Sequence, residues 1–388
     1  MEPIKSDQRA KKRVVVAHLH SDYKFVKESL TYDEALFANR TIILEGEESY
    51  RGPFRESAHF LKANRDSIPK IKRLCSDADI VVLYSLTHLM ALIALALPST
   101  TTIIWRFFGF ELYSRSIERV TTESTQRYLR KGWPKWLYRS RNRLKKVTKK
   151  VIGWRGAEEL FFEAVKRINY VEMLSSEEHS YLKGLFPTLP HFIQLPYLYR
   201  EQEQPDLALK LSEKRPIVVV GNSRSYFNNH FDIINTIEKH PKKENYLFTL
   251  LLNYAEKTKY YRDLVETIST KSHYKIEEQF ISPESFQSYY RGVSALVLNG
   301  MRQMAVDNIF IAIRDGVKIY LNSENLYYQF LINEGFIIFT TNELSQDLTS
   351  GNITLTQSEI DQNRESYRGV TEKYSVERFN REIIAITE

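Results

Sequence analysis

Short runs of β-branched and apolar residues recur along this chain, each followed by a stretch with helical spacing. Residues 14–17, 41–44, 80–84, 101–105, 170–174 and 192–197 form one series. Residues 217–220, 247–252, a short run near Ile276, 295–298, 318–321 and 337–340 form a second. A run that is apolar throughout suits a strand covered on both faces, and strands alternating with helices predict a parallel sheet. Between the series lies 198–214, LYREQEQPDLALKLSEK, which is polar and loses the strand rhythm, so the linker belongs there. A chain of 388 residues also exceeds one ordinary core. The expected fold class is α/β, with two Rossmann-like domains facing a cleft. One covers 1–200 and the other 201–388, the second ending in one or two helices over 357–388. Sheets of this kind bind ligands at the carboxyl ends of their strands.

The segment 115–170 interrupts the first series as a long, basic, helical insert. Within it, 127–155 holds twelve Lys and Arg residues and no Asp or Glu, together with three of the four tryptophans. Trp133, Trp136, Trp154, Lys145, Lys146, Lys149 and Lys150 are the residues expected to meet an anionic membrane surface. That pattern is a basic amphipathic helix with aromatic residues for the headgroup boundary. A solvated face packed on the domain, or an RNA-binding surface, are the alternatives; nucleic acid is not the partner expected. The net charge of +7 fits anionic partners generally. A single cysteine, Cys75, excludes a disulfide framework or cysteine zinc site within the chain. The N-terminus has no apolar run like that of a signal peptide. The most apolar stretch, 88–98, falls short of the roughly 20 residues that cross a bilayer and reads as a core helix. The expected location is cytoplasmic, peripheral on the inner membrane.

Four constellations sit where strands end. Gly221-Asn222-Ser223 follows three valines, and Asn228-Asn229-His230 then opens a helix. Glycine permits a tight turn, and the helix N-terminus behind it offers N–H groups to phosphate; a plain strand–helix turn is the alternative. In 301–325, Asp307 or Asn308 is the expected cap of a helix aimed at the same cleft, and the strand after it delivers Glu324 and Asn325. A carboxylate there can accept both ribose hydroxyls, or can merely cap the next helix. Glu111, in WRFFGFELYSR, is the first choice for a general base, with a salt-bridged loop residue as the alternative. His18, His20 and Asp22, in HLHSDYKF, could act as base or bind substrate; His18 or Asp22 is the second choice for base. Walker, HExxH and GxSxG motifs are absent, as is an Asp-x-Asp between apolar strands, so no metal is expected.

Together these residues resemble the bacterial transferases of 4-acetamido-4,6-dideoxygalactose. GNS with NNH (221–223 and 228–230) is similar to that family's first C-terminal loop, LLNYA (251–255), with Tyr254, to its second strand end. IRDGVKIYLNSEN followed by FLINEGFIIFTTNEL (313–344) is the most specific match. HLHSDYKF and WRFFGFELY resemble its N-terminal patterns. The resemblance implies a GT-B glycosyltransferase that moves a sugar from a dTDP- or UDP-linked donor to a polyprenyl-diphosphate-linked glycan in bacterial surface polysaccharide assembly. It implies that the 221–223 turn holds the diphosphate opposite Asp307 and Asn308, with Tyr254 at the donor site, and that no cofactor is required. A nucleotide-sugar epimerase of the same fold is the rival within enzymes.

Overall fold

The computed structural model describes residues 13–46, 50, 52–130, 156–198 and 216–388. The first sheet contains β1 (Val14–His20), β2 (Phe37–Ile43), β3 (His59–Phe60), β4 (Ile80–Tyr84), β5 (Thr102–Arg106), β6 (Tyr170–Met173) and β7 (His191–Gln194). The second contains β8 (Ile217–Val220), β9 (Leu247–Leu251), β10 (Tyr274–Glu277), β11 (Val293–Leu298), β12 (Lys318–Leu321) and β13 (Phe339–Thr340). Their orders are β3-β2-β1-β4-β5-β6-β7 and β10-β9-β8-β11-β12-β13. Every recorded pairing is parallel, β1 with β4 and β8 with β11 included. Both sheets therefore reverse their winding beside their first strand, and a crevice opens there at the carboxyl ends.

The apolar runs explain the layers. β4 and β11 are buried at every position, as central parallel strands must be. One face of the first sheet packs Leu19, Leu83 and Trp105 against Met90 and Ile93 of the His88–Ala96 helix and against Phe161 and Val165 of the Ala157–Arg167 helix. The 88–98 stretch is thus core, and among the described residues no helix is long and apolar enough to cross a membrane. Part of the basic insert is also core, since the Ala157–Arg167 helix lies against the His88–Ala96 helix.

The other face of the first sheet is closed by a surprise in chain order. By chain order the last helix, Val376–Ala385, belongs with the second domain. Its Phe379 and Ile383 instead fill the space over Val16, Tyr32 and Ile193 of the first. The preceding Gln357–Lys373 helix stays on the second sheet through Tyr367 and Val370. The domains also touch directly. The Thr122 side chain donates to Asp232 Oδ2 at 2.7 Å, Tyr128 to Asp263 Oδ2 at 2.6 Å, and Ser175 to Gln303 Oε1 at 3.2 Å.

Candidate functional site

The turn after β8 is built by asparagines. Gly221 has φ +72°, and a Cβ there would lie 2.6 Å from His230 Nε2, so only glycine fits. The Asn222 N–H donates to Asn228 Oδ1 at 3.2 Å, and Asn228 Nδ2 donates to Ser223 O and Oγ at 3.2 and 3.1 Å. Asn222 Nδ2 reaches the Tyr254 hydroxyl at 2.6 Å, which sets Tyr254, 42% exposed, beside the turn. Asn229 and His230, expected to face the donor, are both buried beside the turn, and His230 Nε2 has no hydrogen-bond partner there. Asn229 is fully buried in a left-handed conformation (φ +48°), donates to Asn299 O at 2.9 Å and accepts from the Thr122 N–H of the first domain at 3.1 Å. His230 is fully buried against Tyr260, and burial lowers its pKa to about 3, so the ring is neutral.

Opposite the turn, the Val306–Arg314 helix starts at the end of the loop that follows β11. Its N-cap is Ala305, left-handed at φ +59°, and no side chain caps the first turn. Asp307 and Asn308 therefore lie inside the helix rather than at its cap: Asp307 is exposed, and Asn308 Nδ2 donates to the Tyr290 hydroxyl at 3.0 Å. The uncapped N–H groups make this end suitable for an anion. Asn325, not Glu324, caps the Leu326–Asn333 helix, accepting from Tyr327 N at 2.9 Å. Its amide Nδ2 also donates to Gly300 O and Arg302 O at 2.7 and 3.1 Å, so Asn325 anchors the loop after β11. Glu324 is exposed just past β12 and is released from the capping role that was the alternative to ribose binding.

On the first sheet, Glu111 sits in the short Phe110–Tyr113 helix and is 2% exposed. Its Oε1 accepts from Leu86 N at 3.3 Å and Trp105 Nε1 at 3.4 Å, while Oε2 is buried without a partner. Burial raises its pKa, offset in part by those hydrogen bonds. His18 is spoken for. Its nitrogens meet Tyr84 OH at 3.1 Å and Asn39 Oδ1 at 2.9 Å, and burial lowers its pKa to about 4. Asp22 is exposed. His20 differs: it stacks on its strand partner Tyr84 at 3.9 Å, and both ring nitrogens are buried without partners.

Two residues escaped the sequence reading. Glu178, whose Oε1 accepts the Tyr113 hydroxyl at 2.6 Å, is buried, which pushes its pKa up to about 7. Arg302, from the second domain, lies over the Tyr113 ring at 5.7 Å and the Phe227 ring at 4.9 Å. Its Nη1 would be 2.8 Å from a Cβ at Gly109, so this second glycine makes room for it. Burial lowers the Arg302 pKa, and the nearby Glu178 and Glu111 oppose that shift. Gly109 and the arginine in the loop MRQM (301–304) are the signals in the sequence for Arg302, and SSEE (175–178), at a helix start, is the signal for Glu178.

Trp133, Trp136, Lys145, Lys146, Lys149, Lys150 and Trp154 lie outside the described residues. Among the described residues, no three His, Cys, Asp or Glu side chains gather as a metal site would need.

No family model matches the chain, and no curated protein matches it in sequence. Solved structures match its shape over nearly its whole length. Sucrose-phosphate synthase from Thermosynechococcus elongatus aligns with a TM-score of 0.66 at 11% identity, covering 96% of this chain and 98% of that one. Anabaena HepE in complex with UDP-glucose gives 0.62 at 10% identity, covering 96% and 99%. WaaG, a glycosyltransferase involved in lipopolysaccharide biosynthesis, gives 0.57 at 12% identity, covering 96% and 99%. These likenesses and the two parallel sheets establish the architecture expected from the sequence: two Rossmann-like domains facing a cleft, the GT-B fold.

Proposed function

We propose that the chain is a glycosyltransferase that takes a sugar from a nucleotide-diphosphate donor, dTDP- or UDP-linked, and passes it to a hydroxyl of a polyprenyl-diphosphate-linked glycan. The observation that carries the reading is the Gly221–Ser223 turn facing the uncapped Val306–Arg314 helix at the reversal point of the second sheet. Helix-end N–H groups there would take negative charge as the diphosphate departs, a form of electrostatic stabilisation that involves no metal. Glu111 would take the proton of the acceptor hydroxyl. The HepE structures hold UDP with glucose and UDP-glucose, which favours a nucleotide sugar for a site of the same architecture.

Titration calorimetry with UDP, dTDP and GDP tests the donor assignment. Glu324→Ala is expected to weaken binding of the preferred nucleotide by about 1–3 kcal/mol through loss of charge-assisted bonds to ribose. Unchanged affinity removes the ribose role. Product formed from sugar nucleotide alone, without acceptor, would favour the epimerase reading.

The narrower part of the reading is a place on the cytoplasmic face of the inner membrane, in bacterial surface polysaccharide assembly. It rests on the charge and tryptophan content of 127–155. Each Lys or Arg near an anionic leaflet contributes about 1 kcal/mol, and tryptophan favours the headgroup boundary. Replacing Lys145, Lys146, Lys149 and Lys150 by Glu is expected to abolish salt-sensitive binding to anionic vesicles while nucleotide affinity stays unchanged. Vesicle sedimentation reads the outcome, and equal binding to neutral vesicles removes the docking role.

A further inference from the structure

The turn that follows β8 is finished from the other domain. Asn229, which ends it, has a left-handed backbone at φ +48° and is fully buried. A residue other than glycine keeps that conformation where its surroundings over-determine it. Here they do so from two directions. Asn229 and Asn299, the first residue after β11, exchange a pair of hydrogen bonds: Asn229 Nδ2 donates to Asn299 O at 2.9 Å, and Asn299 Nδ2 to Asn229 O at 3.3 Å. From the first domain, the Thr122 N–H donates to Asn229 Oδ1 at 3.1 Å.

Thr122 makes a second bond beside that one. Its hydroxyl lies 2.7 Å from Asp232 Oδ2 and 3.3 Å from Asn229 Oδ1. A hydroxyl has one proton to give. The shorter contact with the carboxylate takes it, while the backbone N–H serves Asn229. Asp232 stands in the first turn of the His230–Lys239 helix, the one that begins directly behind the turn. The same Thr122 oxygen accepts from Thr125 N at 3.3 Å as the N-cap of the Glu123–Leu129 helix. One side chain therefore caps a helix of the first domain and pins the start of a helix of the second.

The bonds continue past Asn229. Asn299 Oδ1 accepts from Asn322 Nδ2 at 2.8 Å, and Asn322 Oδ1 accepts from the Glu324 N–H at 2.9 Å. In the other direction Asn228, the chain neighbour of Asn229, accepts from the Asn222 N–H at 3.2 Å. The loops after β8, β11 and β12 thus share one chain of side-chain amides, with Thr122 at its first-domain end. Both the Gly221–Ser223 turn and the Glu324 loop are attached to it. A network of this kind carries a displacement from one end to the other because its bonds are either made or broken.

We propose that Thr122 is a positioning residue for the donor: through Asn229 and Asp232, this residue of the first domain sets the Gly221–Ser223 turn and the Glu324 loop of the second. This rests on the glycosyltransferase reading of that site. Its consequence is that a site built by the second domain takes its binding shape only while Thr122 is in contact with it.

Calorimetry with UDP, dTDP and GDP tests the assignment on the whole chain. Thr122→Val removes the hydroxyl at nearly constant shape. Asn229→Gly removes the amide, and glycine tolerates the left-handed backbone left behind. Each is expected to weaken binding of the preferred nucleotide by about 5- to 100-fold, the span of coupling between linked sites. Thr122→Ser keeps the hydroxyl and is expected to restore the affinity. Tyr128→Phe breaks the neighbouring interdomain bond to Asp263 without touching the amides, and is expected to leave the affinity unchanged. A role confined to capping the Glu123–Leu129 helix would lower the urea midpoint of Thr122→Val and leave nucleotide affinity where it was, and that result overturns the assignment. An equal loss in Tyr128→Phe also overturns it, since the effect would then belong to domain contact in general. If circular dichroism shows Thr122→Val unfolded, Asn229→Gly decides, and undiminished affinity in that folded variant is fatal to the assignment while the donor reading stands. An unaltered protein that binds none of the three nucleotides removes the donor reading, and this assignment with it.

Discussion

Glu111→Gln is expected to lower turnover by about 10²–10⁴-fold, the range lost with a general base, while nucleotide affinity is unchanged. The substitution is close to a single-atom change. Glutamine keeps the oxygen that accepts from Leu86 N and Trp105 Nε1, and alters only the Oε2 position, which has no protein partner. The local fold therefore has no reason to move. The direction of the pH profile follows from burial. Glu111 titrates above an ordinary carboxyl because its charged form is desolvated. A base must be deprotonated, so turnover should fall as pH drops through that raised value, and the acidic limb should vanish in Glu111→Gln. Steady-state kinetics across pH with calorimetry of the same variant check both halves. Near-normal turnover would move the role to another group at the strand ends, and His20, with both nitrogens unmet, is the first place to look.

The largest stability effect is expected at Glu172→Ala, about 3–5 kcal/mol lost, as when one member of a buried ion pair is removed. Glu172 lies on β6 opposite Arg106 of β5 and is fully buried. One oxygen accepts from the Arg106 guanidinium and the other from the Tyr32 hydroxyl. Removing it leaves Arg106 with Thr31 and the half-exposed Glu28, each at 3.2 Å, and strands the Tyr32 hydroxyl. Arg106 cannot shed its proton to escape, because guanidinium stays charged in proteins. Urea unfolding of the variant measures the loss. A change under about 1 kcal/mol would mean that Glu28 alone compensates the charge, in the manner of an ordinary surface pair.

The strands and their parallel order were legible because the central strands carry short β-branched and apolar runs, Val14–Ala17, Ile80–Tyr84, Val218–Val220 and Ala295–Leu298, each followed by helical spacing. The turn at Gly221 was legible for the same reason, since polar residues after a buried strand have few other places to be. What escaped was long-range. Asn229 looks like a ligand-facing residue in the sequence, yet its partners are Thr122 and Asn299, far away along the chain, and Tyr260 fixes one nitrogen of His230. His18 and His20 share one face of β1, and only Asn39 and Tyr84 decide which of them keeps free nitrogens. Ala305 carries no capping signal because its left-handed backbone is imposed by the loop around it. β3, two residues long, is too short for any periodicity. Arg302 takes its meaning from Gly109 and Tyr113 of the other domain, which no local window contains.

The return of the last helix to the first sheet has a mechanical consequence. The chain leaves the first sheet beyond Leu198 and comes back after Tyr374, and the two passages are bonded to each other. The Tyr197 N–H donates to Tyr374 O at 3.0 Å, and the Tyr367 hydroxyl donates to Leu198 O at 2.8 Å. These two bonds hold the end of the first domain's chain, at Tyr197 and Leu198, to Tyr367 and Tyr374, like the spine of a book. Swinging the halves about that spine leaves its bonds intact, whereas sliding one half past the other would tear them. An opening of the cleft that keeps these two bonds is a rotation about them, so the contacts from Thr122, Tyr128 and Ser175 across to the second domain would part and re-form in the same register.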